Sequence, residues 1–314
     1  MNPIEPAGLA PLAPLVLALA PDEGYNLTAL ASVRLLRSNR PLTRTPVLYD
    51  PGIVIVCQGC KRGYFGRRTF IYDANQYLAV SVPVPFTMET DATAEAPLLA
   101  LYLHLEFPLA AELMLAIDRH GGAANDATPQ SMVSSPLDEA MHVSVQRLLQ
   151  GLADPMEAAV LGPQLLRELY YRILTGPQGP TLRAALAMEG RFGKIGKALQ
   201  RIHASYDQAL TVAQLAEEAG MSTPSFHSHF KAVTCTSPIQ YLKSTRLHQA
   251  RLLMVQEGMT AATACHAVGF ESTSQFNREF KRLFGLTPAR EARRMRDSFV
   301  LPPRLQDARY VSSH

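Results

Sequence analysis

The sequence predicts an α+β fold, with a small antiparallel β-barrel or sandwich, flanking helices and a separate all-helical C-terminal domain. Residues 46–107 form short β-branched and aromatic runs separated by Gly, Pro and Asn/Asp. From Pro108 the apolar residues change to helical spacing. Residues 225–231 and 275–281 then repeat each other at an offset of 50, which indicates two copies of one helical unit.

Turn residues and local composition divide the chain. Two Gly and two Pro within residues 175–180 interrupt the helical pattern and predict a linker. The expected organisation is an N-terminal arm (1–34), a sheet-containing domain (35–175), a linker (176–190), a helical domain (191–296) and a tail (297–314).

Composition indicates a folded protein of a reducing compartment. The 314 residues are 47% hydrophobic and include four cysteines, far fewer than a disulfide scaffold needs. The apolar start "PAGLAPLAPLVLALAP" lacks a basic segment and contains several prolines, so we interpret it as an arm rather than an export signal. No apolar run reaches the ~18 residues of a membrane span. These features predict a cytoplasmic protein.

The charges are distributed unevenly. Residues 181–296 carry 16 Lys and Arg against 8 Asp and Glu, whereas the rest of the chain carries 14 against 19. The basic C-terminal third therefore indicates a polyanionic partner.

Each copy of the repeat predicts a helix-turn-helix. Thr211 and Gln214 form one capping box and Ser272 and Gln275 another, while Gly220 is a natural helix stop. Phe226, Phe230 and Val233 share one predicted buried stripe, as do Phe276, Phe280 and Leu283. The opposite faces carry donors suited to base edges and phosphates, although a solvated face is the alternative. These donors are His227, Ser228 and Lys231 in the first copy and Thr273, Ser274, Asn277, Arg278 and Lys281 in the second.

A long helix joins the two copies. It is expected to begin after Ser237 and to end at Gly258. About 20 residues at ~1.5 Å each span ~30 Å, close to the ~34 Å between major-groove sites on one face of DNA. One chain could therefore contact two successive groove segments.

These residues resemble a known family. "LAEEAGMSTPSFHSHFKAVTCTSPIQYLKSTRLHQARLLM" and "AVGFESTSQFNREFKRLFGLTPAREARR" are similar to the DNA-binding domain of AraC/XylS-type transcription regulators. The resemblance implies a regulator, often an activator, with both second helices in the major groove. It adds Pro224 to the expected DNA contacts. Because Pro224 and Ser228 offer few bidentate contacts, we expect the second helix, with Arg278, to contribute more direct readout.

The N-terminal half resembles the effector domain of the same family, in its YqhC-like subgroup. "RTPVLYDPGIVIVCQGCKRGY", "YDANQYLAVSVPVPFTMET" and "ELYYRILTGPQG" carry this similarity. It implies a cupin-like barrel, a helical dimerisation segment within residues 108–175, and a small-molecule or reactive-carbonyl signal. The candidate effector-binding residues are Tyr64, Phe70, Tyr72, Tyr102, His104 and Glu106. Core burial is the alternative for the aromatic side chains.

The motif "CQGC" places Cys57 and Cys60 three positions apart, a spacing found in redox and zinc sites. Gly59 is expected to turn the chain into a hairpin, and Lys61 and Arg62 could stabilise a Cys60 thiolate. Cys57 and Cys60 are therefore candidates for electrophile or redox sensing, beside a purely structural role and, least favoured, zinc. Cys235 and Cys265 are interpreted as core or structural residues.

The predicted protein is a sequence-specific regulator, a homodimer that contacts double-stranded DNA, an effector and RNA polymerase. The alternatives are a cupin-type metalloenzyme carrying a DNA-binding module and an architectural DNA binder. The sequence contains no nucleophile elbow, phosphate loop or H-E-x-x-H motif. His104 and Glu106 supply only two potential metal ligands. No catalytic residue, cofactor or metal site is therefore predicted.

Overall fold

The computed structural model describes residues 11–120 and 127–298. The first part of the chain is rich in strands and the remainder is helical, as the sequence predicts. The strands are β1 (Gly24–Leu27), β2 (Val33–Ser38), β3 (Leu42–Tyr49), β4 (Gly52–Gln58), β5 (Cys60–Phe65), β6 (Arg68–Asp73), β7 (Gln76–Val80), β8 (Val84–Asp91), β9 (Leu98–His104) and β10 (Met132–Pro136). The helices are α1 (Ala13–Leu19), α2 (Phe107–Arg119), α3 (Glu139–Leu152), α4 (Pro155–Val160), α5 (Gly162–Thr175), α6 (Gly179–Leu186), α7 (Gly190–Ala204), α8 (Val212–Glu218), α9 (Thr223–Thr234), α10 (Pro238–Gln256), α11 (Ala261–Ala267), α12 (Thr273–Phe284) and α13 (Pro288–Ser298).

The strands form two antiparallel sheets rather than a closed barrel. One sheet has the order β1-β2-β9-β4-β7-β10, and the other has the order β3-β8-β5-β6. The predicted hairpin at "CQGC" is wrong, because β4 and β5 belong to different sheets. Gly59, at φ 83°, carries the chain from one sheet to the other. The open β-sandwich otherwise confirms the predicted fold class.

The side chains of β9 alternate between two apolar cores. Leu99, Leu101 and Leu103 face helices on the outer side of the large sheet, whereas Leu98 and Tyr102 face the space between the sheets. The strand ends at His104, earlier than predicted, because Pro108 lies in the first turn of α2. Glu106 therefore caps a helix and does not extend the strand.

The two ends of the predicted N-terminal domain are more ordered than their sequence indicates. Within the predicted arm, α1 buries Val16 against the large sheet and β1 pairs with β2. Within the predicted linker, α6 starts at Gly179, since Pro180 suits the first turn of a helix. Residues 1–10 and 299–314, including most of the predicted tail, lie outside the described residues.

The C-terminal domain packs directly against the β-sandwich. A single apolar cluster runs from Tyr72 and Met88, between the sheets, to Phe226 and Tyr241 in the helices. The Tyr241 hydroxyl donates to the Pro83 carbonyl (3.0 Å), and the Ser131 hydroxyl donates to the carbonyl of Val233 (2.5 Å). A change between the sheets can therefore reach the helical domain through direct contact.

No helix within residues 11–120 and 127–298 has both the length and the apolar character needed to cross a membrane.

Candidate nucleic-acid interface and effector cavity

The two repeated helices have the same length and the same boundaries. α9 and α12 each span 12 residues and begin after Ser222 and Ser272. Each ends at a left-handed residue, Cys235 at φ 57° and Gly285 at φ 78°. The two predicted capping boxes differ in their hydrogen bonds. Thr211 and Gln214 form both reciprocal bonds at the start of α8, whereas Ser272 is recorded only as accepting from the backbone of Gln275.

Pairs of phenylalanines anchor these helices. Phe226, Phe230, Phe276 and Phe280 are 0% exposed, as predicted. Leu283 is only half-buried, and Phe284 takes the inner position instead. The Phe284 ring lies 5.1 Å from the His248 ring and 4.3 Å from the Arg251 guanidinium, which explains its burial better than helical spacing alone.

The opposite faces of α9 and α12 are open to solvent. For Arg278, Lys281 and Lys231, no side-chain hydrogen bond or ion pair is recorded within the described ranges. Both α9 and α12 therefore present solvent-exposed hydrogen-bond donors along equivalent faces. The exposed candidates are Pro224, His227, Ser228, Lys231, Thr273, Ser274, Asn277, Arg278 and Lys281.

Arg246, in the middle of α10, ties the two units together and was not identified from the sequence. Its guanidinium donates to the carbonyls of Tyr206 (2.6 Å), Gln208 (2.7 Å) and Gly269 (2.9 Å). Tyr206 and Gln208 precede the first unit, whereas Gly269 makes the turn of the second. Because α10 has 19 residues, its axis spans about 28 Å. The fork of Arg246 therefore joins the segment before the first unit and the turn of the second unit to this one helix.

The structure does not gather the six predicted effector residues into one site. Phe70, Tyr72 and Tyr102 lie buried between the sheets. Tyr64 lies on the outer face of the small sheet, where its hydroxyl donates to Glu89 (2.7 Å).

His104 and Glu106 lie at the far end of β9, beside Tyr170. The Tyr170 hydroxyl donates to the His104 carbonyl (2.7 Å) and accepts from the Glu106 amide (2.8 Å). Asp50 lies beside the same strand. Its carboxylate accepts from the Tyr102 hydroxyl (3.1 Å) and lies 3.2 Å from Nδ1 of His104. Across the described part of the chain, no three His, Cys, Asp or Glu side chains are grouped to hold a metal ion.

The environment of "CQGC" does not favour thiolates. Burial raises the pKa of Cys57 to about 12 and also raises the pKa of Cys60. The expected support from Lys61 is wrong, because successive residues of β5 face opposite sides and Lys61 points inward. Arg62 pairs with Asp91 at 2.5 Å.

The cysteines of the helical domain differ. Cys265 is buried, as expected. Cys235 is exposed, so it is not a core residue, and it occupies the left-handed C-cap of α9.

A cavity of about 290 Å³ lies between the β-sandwich and the C-terminal domain. Most of its wall is apolar, and its charged groups come from both domains. Arg251 and Arg294 of the C-terminal domain both pair with the buried Glu291, at 3.4 and 2.9 Å. None of the six predicted effector residues lines this cavity. Its lining includes Tyr25, Leu36, Arg40, Leu42, Val47, Lys61, Met88, Leu98, Arg251, Arg294 and Met295.

Lys61 is the most unusual group in this lining. Its side chain is 1% exposed, and its recorded polar partner within the described residues is the Tyr49 hydroxyl, 3.4 Å from Nζ. Burial lowers the pKa of Lys61 to about 7. The alternating burial of "CKRGYF" is a sequence signal for its inward direction, but the charge of lysine favours a surface assignment.

Two family models match the chain. The AraC-type transcriptional regulator N-terminus matches residues 29–181, and a helix-turn-helix domain matches residues 215–294. The repeated helices and the open β-sandwich agree with both matches. The chain belongs to the AraC/XylS family of transcription regulators.

Individual relatives match over part of their length. The RCS-specific HTH-type transcriptional activator RclR of Escherichia coli strain K12 is 33% identical over 103 residues, 33% of this chain and 36% of RclR. The virulence regulon transcriptional activator VirF of Yersinia enterocolitica is 26% identical over 166 residues, 52% of this chain and 60% of VirF. The chain thus spans 36% and 60% of the length of these relatives.

The fold as a whole is similar to that of ToxT from Vibrio cholerae strain SCE256, solved with an unsaturated fatty acid bound. The TM-score is 0.59 at 11% sequence identity, over 86% of this chain and 95% of ToxT. At this identity the similarity establishes the shared fold, with a β-rich domain preceding a helical one.

Proposed function

We propose that this protein is a sequence-specific DNA-binding regulator whose activity is controlled by a small molecule in the interdomain cavity. The observation that carries the proposal is the exposure of equivalent donor faces on α9 and α12, two 12-residue helices offset by 50 positions. Arg246 supports it, because its three bonds join the segment before the first helix-turn-helix unit and the turn of the second unit to one helix, α10. Curated relatives of this family are transcriptional activators, which supports activation as the output.

The two helices contribute differently to DNA recognition. Arg278, Asn277, Thr273 and Ser274 of α12 offer donors for base edges, and Lys281 offers a phosphate contact. In α9, His227, Ser228 and Lys231 follow Pro224, which lacks a donor, so α9 contacts the backbone and reads DNA shape.

Replacement of Arg278 tests this assignment. Arg278→Ala is measured on DNA that the wild-type protein selects from a random library, with Arg191→Ala as control, since Arg191 is an equally exposed arginine of α7. We expect Arg278→Ala to lose about 1–3 kcal/mol of binding and its discrimination at one base pair. Wild-type specificity in Arg278→Ala, or an equal loss in Arg191→Ala, would contradict the assignment.

The cavity is the proposed effector site. It is lined mainly by apolar side chains, and both domains contribute to it, so a ligand there contacts the sensing and DNA-binding parts together. ToxT, which shares the fold, has been solved with an unsaturated fatty acid bound, and this supports a small apolar effector. The buried core residues Phe70, Tyr72 and Tyr102 support the sandwich beneath the cavity.

We also propose a homodimer, formed through the helices that cover the large sheet. The segment "LRELYYRIL" buries most of its apolar side chains inside the domain, so it is not the interface expected from its composition. Met156 and Val160 of α4 are instead 76% and 66% exposed and lie one helical turn apart. Met156→Glu with Val160→Glu should shift the sedimenting species from dimer to monomer, whereas a monomeric wild-type protein would contradict the proposal.

Contact with RNA polymerase and a cytoplasmic location follow from the proposed role in transcription.

A further inference from the structure

Lys61 lies in the wall of the interdomain cavity as a buried amine, and its side chain has no carboxylate partner among residues 11–120 and 127–298. It points inward from β5, between Cys60 and Arg62, which face outward. Its recorded contact within the described residues is the neutral Tyr49 phenol, 3.4 Å from Nζ. The two arginines that enter from the C-terminal domain already share Glu291.

This environment changes the chemistry of the amine. An ammonium ion taken out of water without an opposite charge is disfavoured, and the pKa of Lys61 falls to about 7. The neutral amine is then far more populated at neutral pH than in a lysine at its ordinary pKa of about 10.4, where it is well under a hundredth of the side chains. A neutral amine in an apolar site is the form of lysine that attacks carbonyl carbon.

We propose that Lys61 is a covalent receptor for a carbonyl effector, an aldehyde or ketone with an apolar body, which it captures as a reversible imine. The proposal rests on the assignment of the cavity as the effector site and names the chemical class of that effector.

The reaction balances without an oxidant or reductant. The lone pair of Nζ forms a bond to the carbonyl carbon, and the C=O π electrons move to oxygen. The oxygen takes up one proton and the nitrogen releases one, which gives a neutral carbinolamine. The hydroxyl then takes up a second proton and leaves as water while the nitrogen lone pair forms the C=N bond, and the nitrogen releases its second proton. The net change is amine plus carbonyl to imine plus water, and hydrolysis reverses it. Burial raises the pKa of Tyr49, so its phenol keeps its proton. The hydroxyl oxygen accepts from Nζ of Lys61 (3.4 Å), and the hydroxyl donates to Sδ of Met88 (3.1 Å).

The cavity limits which carbonyl compounds fit. Its volume of about 290 Å³ lies near the lower end of the roughly 300–1,000 Å³ of small-molecule pockets. Leu36, Val47, Met88 and Leu98 favour an alkyl or aryl body. Met295 and Arg251 form part of the wall, so an effector held by Lys61 contacts the DNA-binding domain directly.

Reductive trapping tests the proposal on the full chain. The protein is incubated at pH 7 with limiting octanal and sodium cyanoborohydride, which converts an imine into a stable secondary amine, and labelled peptides are identified by mass spectrometry. We expect Lys61 to be labelled at least ten times faster than Lys197, an exposed lysine of α7. Labelling of Lys61 no faster than of Lys197 would overturn the proposal.

A second measurement separates this inference from the proposed function. DNA binding is measured for the wild type, Lys61→Met and Lys61→Arg, with and without octanal or octanoate, and circular dichroism checks folding. We expect all folded variants to bind the selected DNA, and octanal to change the affinity of the wild type alone. Octanoate could instead change the DNA affinity of both the wild type and Lys61→Arg while octanal fails to label Lys61. That result would overturn covalent capture and leave the DNA-binding function intact. Failure of the wild type to bind any selected DNA would refute the proposed function itself.

Discussion

Acidification should weaken the contact between the two domains through His203. This buried side chain of α7 has its Nε2 atom 2.7 Å from the Tyr241 hydroxyl, which donates to the Pro83 carbonyl of the β-sandwich. Because a tyrosine hydroxyl has one proton, Nε2 of neutral His203 carries the ring proton in this arrangement. Burial lowers the pKa of His203 to about 3, and nearby Asp50 opposes the shift only in part.

The linkage between protonation and folding gives the sign and the size of the change in stability. In the unfolded chain His203 has an ordinary pKa of about 6.5, so the unfolded state binds more protons between about pH 6.5 and 3. The stability due to neutral His203 is fully present above about pH 7 and is lost as the pH falls through this window. One pKa unit corresponds to about 1.4 kcal/mol, so the loss between pH 7.5 and 5 is about 2 kcal/mol.

Urea unfolding of the wild type and of His203→Gln at pH 7.5 and 5 measures this loss. Carboxylates and the buried His248 titrate in both proteins, so the difference between the two pH-dependent changes isolates His203. We expect the wild type to lose about 2 kcal/mol more than His203→Gln on acidification. Losses that agree within about 0.5 kcal/mol, the scale of extrapolation error, would refute a neutral buried imidazole at the domain contact.

Two further predictions concern the DNA-binding domain. Arg246→Ala should lower the free energy of unfolding by about 2 kcal/mol, because the carbonyls of Tyr206 and Gly269 lose a charged donor. Arg246→Ala should also weaken DNA binding. Arg246→Lys keeps the positive charge but lacks the planar guanidinium, so it should weaken DNA binding less. Wild-type DNA affinity in Arg246→Ala would show that the spacing of α9 and α12 does not depend on this residue. Lys231→Gln and Lys281→Gln should each reduce the slope of log K against log salt by about 0.9 if each lysine neutralises one phosphate. An unchanged slope for either variant would remove that lysine from the interface.

Local rules in the sequence predicted the DNA-binding domain well. The Phe-x-x-x-Phe spacing, the Thr211 capping box and the offset of 50 all depend on neighbours within one or two helical turns. The exception is Phe284, whose position depends on His248 and Arg251 from a distant helix.

The effector site was not predictable in the same way. Its cavity lies between strands and helices separated by about half of the chain, so no single segment contains its pattern. The alternation of β5 indicates that Lys61 faces inward, but the usual cost of burying a charge favours the opposite assignment. Likewise, Gly59 was expected to turn the chain into a hairpin, whereas it joins two different sheets. The direction of the Lys61 side chain and the connection made by Gly59 both depend on tertiary packing.

Hydroxyl-radical footprinting on selected DNA tests the central claim, that one chain places α9 and α12 in successive major-groove segments. We expect two protected patches about one helical turn apart on the same face of the duplex for each bound chain. Arg278→Ala should weaken the protection of the patch assigned to α12 and leave the other patch unchanged. A single protected patch per chain, or equal protection of both patches in Arg278→Ala and the wild type, would contradict the account.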